Sequence, residues 1–131
     1  PKPLVVVWAG PIFGVLAPLA LWRLAERVGL SAAFVLRFFA GFCLISNGLY
    51  IGVGSIDSVG DCGEMLRNGS RPWQLWLFGA LTVPLGLWLW HGQGAFFGFG
   101  TNRRPISARV AIGCLATFAA LLVLGFVVGG S

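Results

Sequence analysis

Three carboxylates crowd one short segment. Asp57, Asp61 and Glu64 lie between Ser55 and Arg71 and are three of only four acidic residues in the 131-residue chain. At spacings of four and three they would share one face if the segment turned helical. Their mutual repulsion would favour a cation or an arginine partner, and carboxylates at the mouth of a helix bundle can ligate a metal ion. The plainer alternative is a solvated interfacial loop paired with Arg67 and Arg71. Asn47 and Ser46 sit inside an apolar run, and Arg37 near its start. Polar side chains in such runs usually face a bundle interior. Asn47 and Ser46 then serve as interhelical hydrogen-bonding groups, and Arg37 snorkels to the interface. His91 is the only histidine, so no His-rich zinc site can be built from this chain. Cys43, Cys62 and Cys114 form no CxxC pair and no disulfide framework. There is no HExxH, no G-x-S-x-G and no P-loop, so these residues alone hold no complete catalytic constellation.

The elements that position these groups follow from composition. The chain is 57% hydrophobic and 10% charged, with a mean hydropathy of +0.88. A soluble domain of this size has too little interior to hide that much apolar surface. Lipid is the solvent that fits. Four apolar stretches, about 4–24, 33–53, 73–90 and 110–128, approach the roughly 20 residues that a helix needs to cross a bilayer. Backbone groups in lipid must pair internally, so the spans must be helices. The expectation is an all-α polytopic membrane bundle of about four transmembrane helices in a single domain. Trp73 and Trp76 at one end of the third stretch, and Trp88 and Trp90 at the other, mark headgroup belts. Pro11, Pro18 and Pro84 interrupt two spans and predict kinks. Gly10 and Gly14, Gly48 and Gly52, and Gly125 and Gly129 recur at the four-residue spacing that lets helices approach.

The net charge of +5 comes from scattered cations at or between the ends of apolar runs. No basic stripe suits a nucleic acid. Arg23, Arg27, Arg37, Arg103, Arg104 and Arg109 fall on one side of the implied topology, and Lys2, Arg67 and Arg71 on the other. Six against three places the first side in the cytoplasm. The chain begins with Pro, and its first run lacks the layout of a cleaved signal peptide. It therefore reads as a piece of a longer protein whose N-terminal part precedes Pro1.

The segment Val7-Trp8-Ala9-Gly10-Pro11-Ile12-Phe13-Gly14 resembles the A-G-P stretch that opens the span after the catalytic helix in site-2-protease-type zinc metallopeptidases. Arg37 to Gly48, followed by Gly60-Asp61-Cys62-Gly63-Glu64-Met65-Leu66, resembles the Asn-then-Asp region of a divergent, bacterial branch of that family. The likeness covers about residues 4 to 91. It implies an intramembrane protease of the bacterial inner membrane, acting on membrane-protein substrates. In that family an HExxH helix supplies two His ligands and a Glu base, and a later Asp supplies the third zinc ligand. The HExxH helix would precede Pro1. The matching Asp is Asp61, with Asp57 as the alternative, and Asn47 matches the Asn that orients substrate or a neighbouring helix. Tyr50 stands where the family pattern N-x-x-P-x-x-x-x-D-G has Pro, and Gly63 follows Asp61 by two residues rather than one. Two other readings accompany this one. The first is a non-catalytic membrane scaffold or degenerate relative. The second is a small transporter subunit with Asp57, Asp61 and Glu64 lining a cation path.

Overall fold

A computed structural model describes residues 3–129. Lys2, one of the cations in the topology argument, lies outside them. Five α-helices run in the order α1 Leu4–Arg27, α2 Ala33–Asp57, α3 Asp61–Arg67, α4 Pro72–Trp90 and α5 Ala108–Gly129, with a 3-10 turn at Gln93–Phe97. No strand occurs among the described residues. The all-α expectation is met, and each apolar stretch is a helix. α1, α2 and α5 are long and apolar enough to cross a membrane. α4 covers the other expected span and carries no charged residue. Its four Trp, two Pro and Gln74 keep it outside the three that are long and apolar enough to cross. Its 19 residues reach about 28 Å.

The described residues form two compact units that divide after Gln93. In the first, three helices bury regular stripes. α1 buries Pro11, Val15, Pro18, Trp22 and Ala25. α2 buries Gly41, Leu44, Gly48, Ile51 and Ser55, together with Ala40. α4 buries Leu75, Gly79, Thr82, Gly86 and Leu89. Each stripe alternates steps of four and three, the seam that packs helices side by side at a small crossing angle. α1 continues through Pro11 and Pro18, and both prolines lie on its buried face.

α2 and α4 come together through glycine. A methyl group on Gly79 would sit 2.8 Å from the Gly48 carbonyl oxygen, and one on Gly86 would sit 2.7 Å from that of Gly41. Side chains there would hold the two backbones apart, and without them the helices gain dispersion contacts. Of the glycine pairs read from sequence, Gly48 and Gly52 both face α4. Gly14 faces Asn47, while Gly10, Gly125 and Gly129 have no neighbour within 4 Å.

In the second unit, Arg104 N–H donates to the Ala95 carbonyl at 2.9 Å, and its guanidinium lies 4.6 Å from the Phe96 ring. α5 buries only Val110.

Candidate functional site

The acidic segment does not form one helix. α2 ends at Asp57. Ser58 takes a left-handed conformation (φ 54°), and Gly60 follows at φ 58°. Those two residues turn the chain, and a new helix starts at Asp61. The expectation that all three acids share a face therefore holds only for Asp61 and Glu64. Asp57 at the end of α2 and Asp61 at the start of α3 are both exposed, and only Glu64 is partly buried.

Burial of its other face fixes α3. Cys62 and Met65 are fully buried with Ile51 of α2 and Leu75 of α4, and Val7 and Trp8 of α1 pack against that cluster. The Cys62 thiol donates to the Tyr50 carbonyl at 3.3 Å. The Tyr50 hydroxyl accepts from the Asp61 N–H at 3.4 Å. Burial pushes the Cys62 thiol above its ordinary range, and the adjacent Asp61 charge pushes it further. Gly63 abuts the Ser58 carbonyl so closely that no side chain fits. At the far end, the Trp8 Nε1–H donates to the Ser70 hydroxyl at 2.8 Å, which ties α1 to the α3–α4 turn.

This packing sets Asp61 and Glu64 against α1. The two carboxylates and Val6, Val7, Gly10 and Pro11 line one cleft of about 180 Å³. The A-G-P stretch and Asp61 are thus neighbours in space, although fifty residues separate Pro11 from Asp61 in the chain. Pro11 has no N–H, so the helix hydrogen bond to the Val7 carbonyl is missing beside the cleft. Glu64 also forms an exposed ion pair with Arg67 at 3.8 Å. Arg71 instead caps α4, where its backbone N–H donates to Gln74 Oε1 at 2.8 Å.

Asn47 lies about one turn further along the same face of α1. A methyl group on Gly14 would sit 3.2 Å from both the nitrogen and the oxygen of the Asn47 amide. The amide nitrogen donates to the Cys43 carbonyl at 2.9 Å, so its identified bond lies within α2 rather than between helices. Gly10 and Gly14 are one turn apart, and they place the Asp61 cleft and Asn47 on adjacent turns of α1.

Sequence reasoning missed the part played by Tyr50. It stood only as a departure from a pattern, yet it contacts both Asp61 and Cys62. No periodicity could have revealed that contact, which spans a helix break. His91 is exposed at the end of α4.

Among the described residues, no three of His, Cys, Asp and Glu converge as a metal-binding group. Asp61 and Glu64 are the carboxylates that line the cleft. No family model, curated protein or solved structure matches the chain.

Proposed function

We propose that these residues form part of a membrane-embedded zinc metalloprotease of the site-2-protease type, resident in a bacterial inner membrane. Asp61 serves as the third zinc ligand. The single observation that carries this reading is the shared cleft of Asp61 and Gly10-Pro11. The two motifs of the resemblance, remote in sequence, meet there. In this reading α4 crosses the bilayer beside α1 and α2, since it is uncharged and ends in Trp at both faces.

Zinc, when bound, would activate a water and polarise the scissile carbonyl. The chain's own residues hold and shape the site. Asp61 contributes a carboxylate from a helix start that Cys62 and Met65 pin in place. Asn47 orients a neighbouring helix or substrate backbone beside Gly14. Both His ligands come from outside these 131 residues, because the chain contains only His91. A non-catalytic membrane scaffold is the second reading, favoured by the exposure of Asp61 at the start of α3.

Zinc content of the full-length protein, purified in detergent, decides between them. One zinc per chain, lost in Asp61→Ala and kept in Asp57→Ala, is the expected result. Loss only in Asp57→Ala moves the ligand to Asp57. No zinc in the parent protein leaves the scaffold.

A further inference from the structure

We propose that the end of the bundle where Trp22 of α1 meets Arg37 of α2 binds a phosphate-type oxyanion, supplied by the headgroup of an anionic phospholipid. Trp22 is 4% exposed. Its indole Nε1–H is buried and has no acceptor, and the same is true of Nε–H on Arg37. The Arg37 guanidinium carbon lies 5.9 Å from the Trp22 ring centroid. Two unpaired buried donors, one on the indole and one on the guanidinium beside it, therefore lie at this end of the bundle. Folded proteins rarely leave such groups without partners.

The chemistry of the missing partner follows from the donors. Trp offers only a donor, and Arg offers donors with a permanent positive charge. No acidic residue pairs with Arg37 among the described residues, and Glu26 is engaged with Arg23. The partner must therefore accept hydrogen bonds and carry negative charge. A phosphodiester meets both needs, because it has two non-bridging oxygens and matches guanidinium geometry. Gln93 adds a third unpaired group. It is 3% exposed, and its Nε2 donates to the Leu89 carbonyl at 3.1 Å, while Oε1 has no donor. Leu89 shares a core cluster with Trp22, which puts Gln93 at the same end of the bundle. A hydroxyl or ammonium beside a lipid phosphate is the donor that Oε1 lacks.

Position favours a lipid source. Trp22 lies five residues before the end of α1, and Arg37 four residues after the start of α2. Both helices can cross a membrane, so their joined ends lie at headgroup depth, where Trp and Arg meet phosphates. Entry requires the Arg23 side chain to move. Arg23 covers the indole at 4.4 Å, but its side chain is 64% exposed, and only a 3.9 Å surface ion pair holds it. Swung aside, it adds a third donor, the second cationic one, to the same oxyanion. This site lies at the opposite end of α1 from the Asp61 cleft and does not depend on the protease reading.

The test measures retention of dioleoyl phosphatidylglycerol by the purified full chain, using native mass spectrometry. Dioleoyl phosphatidylcholine and inorganic phosphate are the comparison probes. Trp22→Phe keeps the ring and removes the donor, and Arg37→Gln removes charge and donor. Arg27→Gln removes one exposed charge at the same end. The wild-type chain should retain phosphatidylglycerol over phosphatidylcholine, and both Trp22→Phe and Arg37→Gln should weaken retention about fivefold or more. Arg27→Gln should change it less than about twofold. Melting of the lipid-free variants should show that Trp22→Phe is folded, since it deletes a donor that has no partner within the protein. Displacement of the lipid by millimolar phosphate, with the same variant pattern, keeps the oxyanion site and makes phosphate its source. Unchanged retention in both Trp22→Phe and Arg37→Gln overturns the proposal. So does an equal loss in Arg27→Gln, or equal retention of phosphatidylcholine, because either outcome means diffuse charge or unselective lipid contact.

Discussion

Asn47 on α2 and Gly14 on α1 face each other so closely that even a methyl group on Gly14 would press on the amide. A methyl group on Gly14 would meet the Asn47 amide at 3.2 Å. One residue type thus seats the polar group, and the other clears space for it. Gly14→Ala should be tolerated if the amide yields by a few tenths of an ångström. Gly14→Leu cannot fit, and should destabilise the bundle by roughly 1–3 kcal/mol. Thermal unfolding of the two variants in detergent measures the difference, and equal melting temperatures would show that α1 and α2 are not packed as described.

The α2–α4 seam makes a sharper prediction, because its sign opposes helix propensity. Ala normally stabilises a helix over Gly by about 0.5–1 kcal/mol. At Gly79 and Gly86 the added methyl group would press on a facing backbone carbonyl at 2.8 and 2.7 Å. Gly79→Ala and Gly86→Ala should therefore lower stability, by roughly 1–3 kcal/mol each. Gly113→Ala, where nothing lies within 4 Å, should be neutral or stabilising. Melting temperatures of the three variants in one detergent make the comparison.

Helix locations were legible in the sequence because lipid imposes a length and an apolar composition on any span. The buried face of each helix was not. In water, a polar stripe betrays the outer face. Here Phe13, Leu21 and Phe42 are as apolar as the core yet exposed, so apolarity carries no facing information. The four-residue glycine pairs hinted at the seam through Gly48 and Gly52, but the same spacing at Gly125 and Gly129 meets nothing. At the candidate site, chemistry alone singled out Asn47 and the three acids, and only the resemblance preferred Asp61, with Asp57 as the alternative. The common neighbour of Asp61 and Asn47, the Gly10–Gly14 turn of α1, needed three-dimensional packing. The break at Ser58 and Gly60, which separates Asp57 from the other two acids, rests on backbone angles that three-residue and four-residue spacings do not report.

Cys62 offers a pH test of the α3 packing. Its thiol is raised by burial first and by the Asp61 charge second. Alkylation needs the thiolate, so Cys62 should react more slowly than a free thiol at any pH through its titration range. Asp61→Asn removes the second cause, lowers the thiol's pKa and increases the thiolate fraction. Its alkylation at mildly alkaline pH should be faster, on the order of twofold. The assay is mass-spectrometric labelling of Cys62 across a pH series. No acceleration in Asp61→Asn would mean that the carboxylate does not act on the thiol.

Two Trp–Ser bonds brace the same end of the bundle, and they differ in what their loss exposes. The Trp76 Nε1–H donates to the Ser55 hydroxyl at 2.9 Å, and that hydroxyl donates to the Gly52 carbonyl at 2.6 Å. Ser55 therefore relays α4 onto the backbone of α2. The Trp8 Nε1–H donates to Ser70 at 2.8 Å and holds α1 against the α3–α4 turn. Replacing either serine by Ala strands an indole donor, at a cost of about 1–3 kcal/mol where the donor stays buried. Trp76 is 56% exposed, so its N–H can find water or a headgroup, and Ser55→Ala should fall at the low end of that range. Trp8 is half-buried and Ser70 is 6% exposed, so Ser70→Ala should sit higher. It should also loosen α1 from α3, and with it the cleft that Asp61 shares with Gly10 and Pro11. Hydrogen exchange of the α3 amides, compared between Ser70→Ala and Ser55→Ala, separates these effects. Faster exchange over Asp61–Arg67 in Ser70→Ala is the expected outcome. Equal exchange in the two variants would show that the Trp8–Ser70 bond does not hold the acidic helix in place.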